Sequence, residues 1–364
     1  MNVLRIVTTA AVAVATALVP AVAQAGGGVS TVASGLNNPR GLAFSPDGAL
    51  YVAEAGTGGE GPCMAGPEGG TVCFGTSGSI TVIDHGKQSR LISGLPSIAN
   101  SPDGSQAIGP SDVSFQGKGG MYFTVGLGAN PAVRASLPGE APQQSGWLLR
   151  GKQARQVADI AGYEATANPD GGEPDSNPNS VLALPGGQVV ADAGGNDLLW
   201  VAANGKISTL AVFPDVLVDA PPFLGLPPGT KIPMQAVPTS VVRGPDGALY
   251  VGQLTGFPFP EGAAKVYRIV PGHAPEVYAA GFTNIIDLGF SDDGKLYVLE
   301  IAQKGLLSGD QTGALIKVSR GNQQVIMSEG LVAPGGLTFH GNAAYVSNCS
   351  VCAGGGSVLR IPLH

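Results

Sequence analysis

A hairpin pattern recurs six times in this chain, and it restricts the possible folds more than any other feature of the sequence. Its clearest copy is Asn38 to Glu54, NPRGLAFSPDGALYVAE: an apolar run, the turn Ser45-Pro46-Asp47-Gly48, then a second apolar run. Pro46 fixes φ and Gly48 tolerates φ > 0, which is what a tight reversal between two antiparallel strands requires. Variants follow at Gly109 to Gly126, Asn177 to Gly194, Val237 to Gln253, Asn284 to Glu300 and Ala333 to Asn348. Their spacing of roughly 45 to 70 residues is in, or a little beyond, the range of propeller-blade repeats.

Each hairpin is followed by a third β run: Ser79 to Ile83, Gly146 to Leu149, Leu198 to Ala202, Lys265 to Val270, Ala314 to Val318 and Ser357 to Ile361. A fourth run follows in every unit but the last: Ser89 to Ile92, Arg155 to Ile160, Lys206 to Val212, Glu276 to Ala280 and Gln324 to Met327. Four strands per unit make a propeller blade. The strand missing from the last unit is available at Val29 to Ala33, so the ring is expected to close by that strand pairing with the C-terminal blade, which removes both open sheet edges. With 57 Gly, 29 Pro and only 12% charged residues between runs of Val, Leu, Ile and Tyr, the expected class is all-β: one six-bladed β-propeller of four-stranded antiparallel blades, over residues 26–364.

The first 25 residues read differently. Arg5, the apolar run Ile6 to Val19 and the small-residue end Ala23-Gln24-Ala25 describe a secretory signal peptide cleaved near Ala25. No later run is long and apolar enough to span a bilayer, so the mature chain is expected to be secreted, with no membrane contact after cleavage. A net charge of -7 without a basic cluster argues against nucleic acid as a partner. An even count of cysteines in an exported chain points to disulfides, and local pairing of Cys63 with Cys73 and Cys349 with Cys352 is the simplest of three connectivities. A lone Cys-x-x-Cys also suits redox chemistry or half a zinc site.

Propeller geometry turns repeat positions into places. The start of the first strand and the end of the second converge from all blades on one mouth of the central channel. The first position carries Arg40, Asp112, Asn179, Thr239, Asp287 and Gly335; the second carries Glu54, Thr124, Asp192, Gln253, Glu300 and Asn348. Oxygen ligands of this kind suit a hard cation such as Ca²⁺. Glu54, Asp112, Asn179, Asp192, Asp287 and Glu300 are therefore the candidate metal ligands, and the plainer reading is that they satisfy backbone groups and ordered waters. A denser patch places Asp170, Glu173, Asp175, Asn177 and Asn179 in one inbound loop and Asp192, Asn196 and Asp197 in the adjacent outbound one. These carboxylates need a cation, a proton or a hydrogen-bond donor among them, although Asx-turn chemistry explains most of the same letters. Two insertions, Gly56 to Ser77 and Phe213 to Pro238, are candidate lids or contact surfaces.

Nucleophilic catalysis has little support. His85, His273, His340 and His364 fall in turns or at the end of the chain, and neither G-x-S-x-G nor HExxH occurs. A hydrolase or lactonase using metal-activated water at the mouth is the alternative.

At NPNSVLALPGGQVVADAGGNDLLWV, with NPRGLAFSPDGALYVAEAG before it and PTSVVRGPDGALYVGQLTGFPFPEGAAKVYRI after it, the chain resembles the ScyD/ScyE family of exported, NHL-repeat-like bacterial propellers. That resemblance spans essentially all of the mature chain. It implies a six-bladed propeller and supplies no catalytic residue. The reading is a binding or scaffold protein acting through the channel mouth and its loops, whose partner is a small molecule or an extracellular protein; catalysis is not required by it.

Overall fold

The computed structural model describes residues 28–66, 70–117, 120–139, 144–319 and 322–363. The signal-peptide reading over residues 1–25 lies outside them. Six β-sheets are arranged as the blades of a propeller. In blade 1, strands Pro39–Phe44 and Leu50–Glu54 form the inner hairpin, followed by Thr71–Asp84 and Lys87–Asn100. The inner hairpins of blades 2 to 6 begin at Pro110, Pro178, Pro238, Ile285 and Gly336, each in its own antiparallel sheet. Closure is as expected. Strand Ser30–Leu36 pairs antiparallel with Gly356–Pro362, from Ser30 opposite Arg360 to Leu36 opposite Gly356, and completes blade 6.

The core follows the ring. Each pair of adjacent blades shares its own apolar cluster: Leu42, Val52, Leu36 and Val358 between blades 1 and 6, Val113, Phe123, Ala53 and Ile80 between 1 and 2, Leu148, Val190 and Val201 between 2 and 3. Val189, Leu198, Val251 and Ile269 continue the series between blades 3 and 4. Phe282, Ile285 and Val298 fill the gap between 4 and 5, and Leu299, Leu315 and Val346 that between 5 and 6. This layout explains why the strands are apolar on both faces, as in the second strand of blade 3, Gly187–Asp192, which is buried throughout.

Two segments differ from the sequence expectation. The described residues of the insertion Gly56 to Ser77 extend blade 1 and do not form a lid: Gly61–Ala65 pairs with the lengthened third strand, and Cys63 stands opposite Cys73 and is bonded to it. Its glycines allow this because side chains at Gly58 and Gly59 would run into the backbone of Cys73 and Gly75. The second disulfide joins Cys349 to Cys352. Both pairings are the local ones, and disulfides are at home in an oxidising compartment. The other departure is a short helix, Ile160–Ala167, where the sequence pattern predicts a strand reaching Ile160; Asp159 caps it by accepting from the Gly162 N–H. The insertion Phe213 to Pro238 is a two-stranded hairpin, Val216–Asp219 against Lys231–Met234. No helix among the described residues is long and apolar enough to cross a membrane.

Candidate functional site at the channel mouth

The residues that the repeat places at the start of each first strand link blade to blade. Asp112 accepts from Ser180 Oγ and the Val181 N–H, each at 2.9 Å, joining blades 2 and 3. Asn179 Nδ2 donates to the Thr239 carbonyl at 2.7 Å, and Thr239 Oγ1 to the Ile285 carbonyl at 2.8 Å. Asp287 accepts from the Leu337 N–H at 2.7 Å, joining blades 5 and 6. Ser347 Oγ donates to the Arg40 carbonyl, and the Arg40 guanidinium to the Ala107 carbonyl, both at 2.7 Å. These contacts form a closed belt around the channel. Each carboxylate also accepts from the N–H of its own successor, Val113 and Leu288.

The belt is tight enough to exclude a methyl group at one point. A Cβ on Gly41 would overlap the Asp112 carboxylate and stand 2.9 Å from its Cα. Gly41→Ala is therefore expected to cost about 3 kcal/mol in chemical denaturation, because φ is unstrained and only the lack of space opposes it. Unchanged stability would show that the blades separate readily there.

Carboxylates at the end of the second strand have a different task. Glu54 accepts from the Asn37 N–H at 2.7 Å, Asp192 from the Asn177 N–H at 2.6 Å, and Glu300 from the Thr283 N–H at 2.7 Å, while Asn348 Oδ1 accepts from the Val332 N–H at 2.8 Å. Each ties down the loop leading into its own blade. Glu54 also receives Ser79, Thr81 and Arg90. The six candidate ligands thus fall into two sets: Asp112, Asn179 and Asp287 between blades, and Glu54, Asp192 and Glu300 within them. Among the described residues, no three His, Cys, Asp or Glu side chains stand together as a ready ligand set.

Electrostatically the mouth favours protons or cations. Burial pushes Asp112 up to about 6, and Asp287 lies well above its ordinary range through burial and the facing Asp112 charge. Burial raises Glu300 to about 7 and Asp192 to about 6, against the pull of their N–H donors. Burial also lowers the Arg40 guanidinium to about 10.

Beyond the belt, the same face carries an apolar rim, part of it on the insertion Phe213 to Pro238 that the sequence marks as a candidate contact surface. Phe223, in the second insertion, is 68% exposed and meets Phe257 edge-on at 6.2 Å between ring centres; Phe257 in turn meets Phe259. Leu224, Leu226 and Leu307 are exposed as well. The Gly256 N–H donates to the Gln235 carbonyl at 2.8 Å, and Gly305 packs against the Phe259 carbonyl, so insertion and outbound loops of blades 4 and 5 form one wall. The signal was present in the letters VFPDVLVDAPPFLGL, where apolar residues sit in a long polar-flanked loop. On the opposite face, a groove of about 610 Å³ runs between the turns of blades 1 and 2, floored by Tyr51, Phe115 and Met121.

No protein-family model matches the chain, and no curated protein matches it in sequence. Solved β-propeller structures do match in shape. A putative oxidoreductase (glucose dehydrogenase) from Thermus thermophilus aligns at TM-score 0.50 and 18% identity, covering 91% of this chain and 98% of that one. The PQQ-bound aldose sugar dehydrogenase of Streptomyces coelicolor aligns at TM-score 0.50 and 13% identity, over 93% and 98%. A protein of unknown function from Bacteroides thetaiotaomicron aligns at TM-score 0.54 and 8% identity, over 92% and 75%. At these identities the likeness is one of fold, and the chemistry has to be argued from this chain's own residues.

Proposed function

We propose that this chain is an exported propeller, of the ScyD/ScyE type it resembles, that binds an extracellular protein through the loop-bearing face around the channel mouth. The observation that supports this is the exposed rim of Phe223, Leu224, Leu226, Phe257 and Leu307, carried in large part by the insertion between blades 3 and 4. Large exposed apolar side chains held in a preformed wall are the usual anchors of a protein interface. The belt and the tied-down loops hold that wall on a rigid base, which lowers the ordering cost of binding.

A displayed peptide library selected on the protein should yield sequences rich in apolar and aromatic residues. Their binding should fall at least about tenfold on the double variant Phe223→Ser/Phe257→Ser, with the melting temperature within about 2 °C of the parent, because both side chains are exposed. Equal binding to parent and variant would overturn the reading, as would a preference of the rim for neutral lipid vesicles. The second reading, a metal-assisted hydrolase, rests on Asp112 and Asp287 facing each other with raised proton affinity. It requires turnover of a lactone panel that disappears in Asp112→Asn.

A further inference from the structure

We propose that the corner of blade 3, between the helix Ile160–Ala167 and the turn Asp192–Asp197, is a binding site for one hard divalent cation of the Ca²⁺ class, held by Glu164, Asp175 and Asp197 away from the central channel. The residues come from three separate places. Glu164 lies on the helix, Asp175 in the loop leading into blade 3, and Asp197 at the start of that blade's third strand. From residue 160 to residue 205 the chain carries Glu164, Asp170, Glu173, Asp175, Asp192 and Asp197 and no Lys, Arg or His.

A cluster of acids alone would say little, since turn chemistry accounts for many of them. Asp170 accepts from the Gly172 N–H and from Asn196 Nδ2; Asp192 accepts from Ser176 Oγ and the Asn177, Gly194 and Gly195 N–H groups. These two are fully occupied and form the wall of the corner. The other three are not. Glu164 is 2% exposed and Asp197 is 1% exposed, yet Glu164 Oε1, Asp197 Oδ1 and Asp175 Oδ1 are buried without any hydrogen-bond partner. A buried carboxylate oxygen with no donor is among the costliest arrangements a fold can hold, and here it occurs three times in one corner.

Glu164 and the wall residue Asp192 border one space beside Gly195. Glu164 Oε2 and Asp192 Oδ2 lie 3.1 and 3.6 Å from the point where a Cβ on Gly195 would stand, so glycine leaves room that any side chain would fill. Every charged neighbour acting on Glu164 is a carboxylate, namely Asp192, Asp170 and Asp175, and Asp197 feels Asp192, Glu164 and Asp170. Burial and this mutual repulsion push Glu164 up to about 7 and Asp197 well above its ordinary range. Among the described residues no three of these carboxylates yet meet at one point. A cation supplies the missing charge and draws the free oxygens inward. The donors are all oxygen, with no imidazole or thiolate, which selects a hard ion; Ca²⁺ takes six to eight such ligands in flexible geometry and would complete its shell with backbone carbonyls and water.

The test is thermal melting of the mature, disulfide-intact protein after chelation, with and without added Ca²⁺ at pH 7.5. Ca²⁺ at about a hundred times its dissociation constant is expected to raise the melting temperature by about 5 °C. Glu164→Gln and Asp197→Asn should abolish that rise while melting a few degrees higher than the parent in the metal-free state, because each removes a buried like charge. Asp112→Asn, in the channel belt, should retain the full rise. No rise in the parent protein, or a rise that survives both cluster variants, overturns the proposal. Should those variants not fold, a lanthanide soak of parent crystals answers the same question: an anomalous peak among Glu164, Asp175 and Asp197 supports the site, and a peak only in the channel or nowhere overturns it.

Discussion

Deleting residues 28–36 is expected to abolish cooperative melting and leave the chain aggregated, and placing the same residues behind Leu363 through a short turn is expected to restore it. The segment inserts Leu36, fully buried, and Ala33, nearly so, into the cluster shared by blades 6 and 1. It also pairs the exposed edge of strand Gly356–Pro362. Loss of the buried side chains and the ladder costs roughly 5 kcal/mol, comparable to the whole stability of many domains, and frees an unpaired strand edge that templates aggregation. The transplant works on geometric grounds: Ser30 already lies opposite Arg360, so a tight turn after Leu363 delivers the strand in its native register. The permuted protein should melt within about 5 °C of the parent. A truncated chain that melts like the parent would remove the closing strand from any role in holding the ring.

The second large effect is one of pH. Metal-free protein should be most stable near pH 4.5 and lose about 10 °C of melting temperature by pH 8. Asp112 and Asp192 are raised to about 6 and Glu164 and Glu300 to about 7, while Asp287 and Asp197 also lie well above their ordinary range. In the unfolded chain the same groups titrate near 4. Between these limits the folded state therefore holds more protons than the unfolded state, so stability falls as pH rises through the window of about 4.5 to 7. With partial hydration of the channel, the summed loss is on the order of 5 kcal/mol. The exposed Asp47, Asp103, Asp246 and Asp293, which are held below their usual range by hydrogen bonds or by a basic neighbour, act in the opposite sense and only below that window. A flat or rising profile in differential scanning calorimetry would contradict the placement of these carboxylates. Ca²⁺ should flatten the descent by the share that Glu164 and Asp197 contribute.

Turn chemistry made the fold readable in advance. Pro46 and Gly48, and their equivalents in the other repeats, mark strand reversals at a regular place in each unit, and the fourth strand missing from the last unit points to its substitute at the front. The direction in which the mouth residues aim was not readable. In blade 2 the register between the first two strands shifts between Pro110 and Asp112, and in blade 5 between Ile285 and Asp287. An irregularity of this kind re-aims a side chain without leaving a mark on period-two alternation. Asp112 and Asp287 consequently reach sideways to the next blade. Glu164 escapes sequence reading because its helix is a single eight-residue element with alanine, glycine and threonine in place of an amphipathic stripe. The corner itself was legible, because Asp170, Asp175, Asp192 and Asp197 stand out as a dense acidic patch; only the helix that adds Glu164 to it was not. The glycines of residues 56 to 77 read as loop, yet in the structure they let strands lie close together.

The closing pair also decides how the molecule can be presented. Strand Gly356–Pro362 runs from the mouth, where Gly356 meets Leu36, toward the other face, where Arg360 meets Ser30. Both described ends of the chain therefore leave side by side on the face opposite the Phe223 and Phe257 wall. A cell surface, matrix or fused domain attached through either end would hold the propeller like a cup on its base, with the rim and channel mouth turned outward to whatever arrives from solution.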